Sequence, residues 1–305
     1  MKFTYSSIVA VASLLLTSVQ GAAVPPIAEM LQTPATAATL PPHATSLQKR
    51  GIESLNDYNC KLTPAHPRPL LLVHATLLTL DSWWQFAPIL KRNGYCVFAL
   101  TYGRYKDIPL VGGIAPIEDS AQEVANFADN ILKRMNVTQL DYVGHSQGGI
   151  LGRYWIKYLG GAGKVNKMVG IAPVHHGTTL SGITTIAQAL RIFAPAQPIF
   201  DSFAPAFYQL VRSSDFMAKL NAGGDISPGV IHSNIGTKFD EVVTPYQTCF
   251  QNSAGVTNAV LQNLCMFSIN EHLTMINSHV VLRFVMNQLD PSSARSANCL
   301  SAFNV

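Results

Sequence analysis

The chain has 305 residues, of which 48% are hydrophobic and 12% charged, with a formal net charge of +4. An average globular chain is roughly 25% charged, and a disordered one needs low hydrophobicity with high net charge, so this composition excludes disorder. The small basic excess forms no patch, which argues against a nucleic-acid partner.

Lys2, an apolar run over residues 8–16 and small residues at Gly21, Ala22 and Ala23 follow the pattern of a secretory signal peptide over residues 1–21. The run is too short to cross a bilayer, so a secreted, extracellular protein with no transmembrane segment is expected. Residues 22–50 are rich in Ala, Pro and Thr and end on Lys49-Arg50. This stretch reads as a pro-segment cut after Arg50, the alternative being an exposed linker. Losing residues 1–50 removes Lys2, Lys49, Arg50 and Glu29, which brings the net charge nearer zero. Charge steering is not the main mode of recognition.

Residues 51–305 form the expected catalytic domain. Short apolar runs at 69–74 (PLLLVH) and 95–100 (YCVFAL) read as buried strands, and 140–143, 167–171 and 230–235 add further strands. Helical spacing is seen over 118–135, where Ile117, Val124, Phe127, Ile131 and Leu132 share one side, and helices are also expected at 148–158 and 280–289. A further strand-like run covers 266–269. Strands alternating with helices predict an α/β fold, a mostly parallel central sheet with helices on both faces.

The motif Gly144-His145-Ser146-Gln147-Gly148 lies between a strand and a helix. That context makes G-x-S-x-G a nucleophile elbow: the serine sits in a strained turn and the glycines let the backbone pass closely. A serine nucleophile needs a base, and the base an orienting carboxylate. Among the downstream histidines, His175 and His176 read as solvated turn residues at the site mouth. His232 reads as a hydrogen-bonded core residue and His279 as a packing residue. His272 lies on a loop before the last helix, where a base can reach over the sheet, and it is the expected base. Asp240, just past the strand at 230–235, is the expected acid. Glu241 is its rival, expected to face away if Asp240 faces in, while Glu271 stands too close to His272 to face its ring. The oxyanion hole needs two backbone N–H groups. Gln147 is expected to supply one and Thr76, after the first strand, the other.

All five cysteines follow Arg50, which in an oxidising compartment suggests two disulfides and one thiol. Cys60–Cys96 is the preferred pair, and Cys249–Cys265 is favoured over the alternatives with Cys299. No two cysteines stand at zinc-site spacing, so no metal is expected. Asn136-Val137-Thr138 is the one N-glycosylation sequon, at a surface position ahead of a strand.

The ordered segments PLLLVHATLL, GYCVFALTYG, YVGHSQGG, APVHHGTTLSG, LNAGGD, FDEVVTPY and Glu271-His272 resemble the secreted class 2 lipase/esterase family of the α/β-hydrolase fold, in particular the fungal lipase B group. The resemblance covers about residues 55 to 290. It implies Ser146 as nucleophile, Asp240 as acid, His272 as base, and Thr76 and Gln147 as oxyanion donors, with no cofactor. Two departures stand out: His74-Ala75 where the family usually has His-Gly, and Glu271-His272 where Asp-His is common.

A cap insertion is expected over about 178–228. Phe200, Phe203, Phe207 and Leu210 fall on one helical face, which either lines an acyl pocket or meets lipid, or simply packs onto the domain. The expected activity is hydrolysis of acylglycerol esters by a monomer at a lipid–water interface. The alternatives are a carboxylesterase or acyltransferase for shorter or specialised acyl groups, and a non-catalytic binder of apolar ligands.

Overall fold

The computed structural model describes residues 52, 55–105, 111–179, 181–185 and 206–299. The expected signal peptide and the pro-segment ending at Lys49-Arg50 lie outside these residues. So do residues 180 and 186–205 of the expected cap, with Phe200 and Phe203.

Among the described residues six parallel strands form the sheet: β1 (Leu70–Val73), β2 (Val97–Leu100), β3 (Leu140–His145), β4 (Val165–Ile171), β5 (Ile231–Gly236) and β6 (Thr257–Val260). Their order is β2-β1-β3-β4-β5-β6, so the chain winds outward to one edge and then to the other. Alternation along each strand divides the core in two. Leu70 and Leu72 of β1 and Val97 and Ala99 of β2 pack into one apolar layer, while Leu71, Val73 and Phe98 pack into the opposite one. A strand buried on both faces has to be apolar throughout, which is why PLLLVH shows no polar alternation.

Helices α1 (Phe86–Arg92) and α6 (His279–Leu289) cover the first layer through Phe86, Leu90, Val281 and Val285. Helices α2 (Ile117–Met135), α3 (Gln147–Tyr158) and α4 (Asp215–Asn221) cover the second through Val124, Ile131, Trp155 and Leu220. A short turn of helix, α5 (Leu261–Leu264), follows β6. In α2, Glu118 and Asp119 occupy the first turn and Lys133 and Arg134 the last, each sign opposing the helix dipole at its end. The helix ends at Asn136, which is exposed with φ +53°, a left-handed conformation that asparagine tolerates.

Two expectations are corrected. Residues 266–269 form no strand; the sheet ends instead in β6, a polar segment (TNAV) whose sequence carries no strand-like alternation. Cys60 and Cys96 are joined as expected, with Cα atoms 5.7 Å apart. Cys265, however, pairs with Cys299 rather than Cys249. Cys249 is a buried thiol lying against Gly236, in the apolar layer opposite the one that holds Cys265. Among the described residues, no helix is long and apolar enough to cross a membrane.

Candidate active site

In a parallel sheet the loops at the carboxyl ends of the strands form the crevice where ligands bind. The predicted site residues lie on such loops after β1, β3 and β5, and on the loop between α5 and α6. Ser146 closes β3 with φ +54° and ψ −121°, a backbone strained for any residue with a side chain. The strain is held by the surroundings: the Ser146 N–H donates to the Ile171 carbonyl at 2.9 Å, and Gly149 N–H donates to the Ser146 carbonyl at 2.9 Å. A Cβ on Gly144 would fall 2.6 Å from the Gly148 carbonyl. Neither backbone can yield, so Gly144→Ala is expected to destabilise the fold by about 3 kcal/mol. Urea unfolding measures that loss; an unchanged midpoint would mean that the crossing is looser than described.

His272 lies between α5 and α6 and is buried. Its Nδ1 is 2.9 Å from Asp240 Oδ2. The other oxygen of Asp240 accepts the Val242 and Val243 N–H groups at 3.0 and 2.6 Å, so the carboxylate is fixed by its own loop. Burial alone would lower the His272 pKa. The Asp240 carboxylate and its hydrogen bond, with Glu241 and Glu271 farther off, outweigh burial and raise it above the ordinary 6.5.

Glu241 does not face away. Its Oε2 receives the His272 backbone N–H at 3.5 Å, although Asp240 is the carboxylate on the ring. Burial, offset in part by His272 and reinforced by Glu271, pushes the Glu241 carboxyl up to about 7. Glu271 instead accepts the Leu273 and Thr274 N–H groups at 2.7 and 3.0 Å, which caps the turn after the histidine.

Thr76 and Gln147 converge on Gly113: a Cβ there would lie 3.0 Å from Thr76 Cα and 3.1 Å from Gln147 Oε1. Gln147 is the first residue of α3, where backbone N–H groups have no partner within the helix. Thr76 Oγ1 is buried with no partner among the described residues. The left-handed residue of the Thr76 loop is Leu77, φ +65°, and not Ala75; alanine in the place of glycine therefore meets no backbone strain. His74 braces the loop. Its Nδ1–H donates to the Ala75 carbonyl at 2.8 Å, and its Nε2 accepts the Tyr102 N–H at 3.2 Å. Burial lowers its pKa to about 4, which keeps the ring neutral for both bonds. The Tyr102 hydroxyl reaches the His74 carbonyl at 2.8 Å and Gln147 Oε1 at 2.9 Å.

Sequence reasoning missed Tyr102, Gly113 and His145. The His145 Nε2–H donates to the His272 carbonyl at 3.0 Å, and burial holds this ring's pKa well below its usual value. The residue before Ser146 thus pins the loop carrying His272. Phenylalanine at 145 keeps the ring but leaves that carbonyl unpaired, and thermal unfolding is expected to show a loss of about 1–3 kcal/mol. No loss would mean that the loop is held by other contacts. The position was visible as the variable residue of G-x-S-x-G, but its partner is 127 residues away.

The remaining histidines lie elsewhere. His175 is not solvated: it is buried, with Nε2 2.9 Å from Asn234 Oδ1. His176 faces Asp225 at 3.4 Å. Buried Arg153 stands 3.8 Å from the same carboxylate. Burial pushes Asp225 up, but His176, the Asn252 N–H and Arg153 outweigh it and hold the carboxyl well below its usual range. His232 is a buried β5 residue accepting the Ser227 N–H at 3.4 Å. His279 opens α6, its Nε2–H on the Asn298 carbonyl at 2.7 Å. In the described part of the expected cap, Phe207 and Leu210 are buried in the layer beneath α2 and α3, so those two pack onto the domain. Among the described residues, no group of three or more His, Cys, Asp or Glu could hold a metal ion.

The chain is similar in fold to lipase B of Aspergillus fumigatus, with a TM-score of 0.59 and 20% identity over 76% of this chain and 54% of that one. It therefore spans about half the length of that lipase. It is also similar to the mature form of the Bacillus licheniformis lipase BlEst2, with a TM-score of 0.54 and 16% identity over 75% of this chain and 94% of that one. These likenesses identify the sheet and its helices as the α/β-hydrolase fold. No curated protein sequence matches. The class 2 lipase family matches residues 67–284, a span running from before β1 into α6, and the chain belongs to that family of lipase and esterase hydrolases.

Proposed function

We propose that the chain is a secreted serine hydrolase that cleaves carboxylic esters of lipids, triacylglycerols foremost, with Ser146 as nucleophile, His272 as base and Asp240 as acid. The observation that carries this reading is the buried Asp240–His272 pair, 2.9 Å apart, on loops beside a serine with φ +54°. With Nδ1–H committed to Asp240, Nε2 is left to take the Ser146 proton. The serine oxygen attacks the ester carbonyl, and the oxyanion is stabilised by backbone N–H groups of Thr76 and Gln147, with the Thr76 hydroxyl as a further donor. His272 then protonates the departing alkoxide, leaving an acyl-enzyme. Water, deprotonated by His272, attacks this ester; the tetrahedral intermediate collapses, releasing the fatty acid and returning the proton to Ser146.

The two disulfides support secretion, because such bonds persist in oxidising compartments. Asn136, exposed at the end of α2, suits N-glycosylation. A chain-length series tests the substrate class: triolein emulsion is expected to be hydrolysed well, and specific activity to rise with acyl length from p-nitrophenyl butyrate upward. Activity confined to the butyrate would replace the lipase reading with an esterase of short acyl groups.

A further inference from the structure

Between Glu241 and Glu271 the sequence contains no Asp, Glu, Lys or Arg. Within this stretch Met266, Phe267 and Ile269 are 74%, 77% and 81% exposed, the highest values among the large apolar side chains described. Single exposed apolar residues are ordinary, but a contiguous group marks an interaction site. Phe239 and Leu264, 51% and 42% exposed, stand on backbone tied to the same loop. Gln262 Nε2 donates to Thr237 Oγ1 at 2.9 Å and to the Ser268 carbonyl at 3.1 Å. Gln262 Oε1 accepts the Lys238 N–H at 2.9 Å, and the Thr237 hydroxyl donates to the Asn270 carbonyl at 2.7 Å. The loop is anchored at one end by buried Cys265 and its bond to Cys299, and at the other by Asn270.

We propose that residues 264–269, with Phe239, form the surface on which the enzyme rests against an uncharged lipid phase. The inference rests on the reading of an apolar ester substrate and deepens it by naming the face that meets the substrate. Charge argues for this occupant. Over residues 237–240 and 264–270, Lys238 is the one exposed charged side chain, so an acidic or basic partner would find little to pair with, whereas an acyl phase needs no pairing. Position argues likewise. Phe239 immediately precedes Asp240, and Ile269 lies three residues before His272, so the apolar face is built on the two loops that carry acid and base. Docking there brings lipid to the carboxyl ends of the strands, where Ser146 waits. The sequence left open whether the insertion at 178–228 meets lipid or packs onto the domain, and its Phe207 and Leu210 are buried.

The test measures partition of the mature enzyme onto phosphatidylcholine-stabilised triolein droplets by flotation, beside hydrolysis of dissolved p-nitrophenyl butyrate. The combined variant Met266→Ser, Phe267→Ser, Ile269→Ser is expected to lose at least about tenfold in partition while dissolved-ester turnover stays within about twofold. Phe267→Asp alone, which adds a charge without touching the core, is expected to act in the same direction. Unchanged partition in both variants overturns the proposal. So does a fall in p-nitrophenyl butyrate hydrolysis with unchanged partition, which would place the loop in the chemistry. A wild-type dimer that the combined variant converts to a monomer, with partition unaffected, assigns the face to a second copy and overturns the proposal as well. If the wild type partitions through this loop but leaves triolein intact, the docking surface stands and the triacylglycerol reading fails.

Discussion

Alanine at position 146 is expected to lower kcat by about 10⁶, to the residual rate that binding and oxyanion stabilisation alone sustain. A fluorophosphonate probe is expected to label the wild type once per chain and the variant not at all. The expected effect is large because, on the proposed mechanism, Ser146 supplies the bond-forming oxygen and neither the Asp240–His272 pair nor Thr76 can substitute for it. Stability provides a second reading. Ser146 holds φ +54°, which alanine inherits and glycine does not resent, so Ser146→Gly is expected to be inactive yet more stable by about 1 kcal/mol in thermal unfolding. Wild-type turnover in Ser146→Ala would move the chemistry to another residue. A glycine variant no more stable than the alanine one would show that the surroundings, and not the backbone, set the energy of the turn.

Asparagine at 240 is expected to cost about 10⁴ in kcat. Its one side-chain oxygen is claimed by the Val242 and Val243 N–H groups, which turns the amide NH2 toward His272 Nδ1. On the proposed mechanism the ring is then held in the wrong tautomer for a base, and no charge remains to stabilise the imidazolium. The pH profile separates this from a misfolded site. The His272 pKa is raised above the ordinary 6.5 by Asp240 against the pull of burial. Activity requires the neutral ring, so in the wild type the acid limb of kcat/KM lies above that value. Removing the Asp240 charge lowers the pKa, and the limb is expected to move to lower pH. A limb that stays in place while the rate falls would assign the raised pKa to Glu241 and Glu271.

What the sequence made legible was whatever its local pattern encodes. Strands β1 and β2 appeared as apolar runs because both faces of the sheet are covered there, and Ser146 appeared because the elbow requires glycines at fixed offsets. Asp240 and His272 were reached by chain order and loop position, with the family resemblance beside them. Long-range pairing was not legible: the Cys265–Cys299 bond and the His145–His272 contact join segments that nothing local connects. The 266–269 run misled because its apolarity serves no strand and stays on the surface. β6 was hidden for the opposite reason. At the sheet edge it needs little burial, and its polar residues bond to β5 side chains, as Asn258 does to Asn234 at 3.0 Å.

The hydrogen bond from His145 to the His272 carbonyl spans 127 residues, and its two ends belong to the middle strand of the sheet and to a loop near the end of the chain. Ser146 directly follows the first of these and His272 sits on the second. The two segments are therefore coupled directly and not only through the rest of the sheet, so a displacement of the loop that carries His272 is passed to the residue beside Ser146.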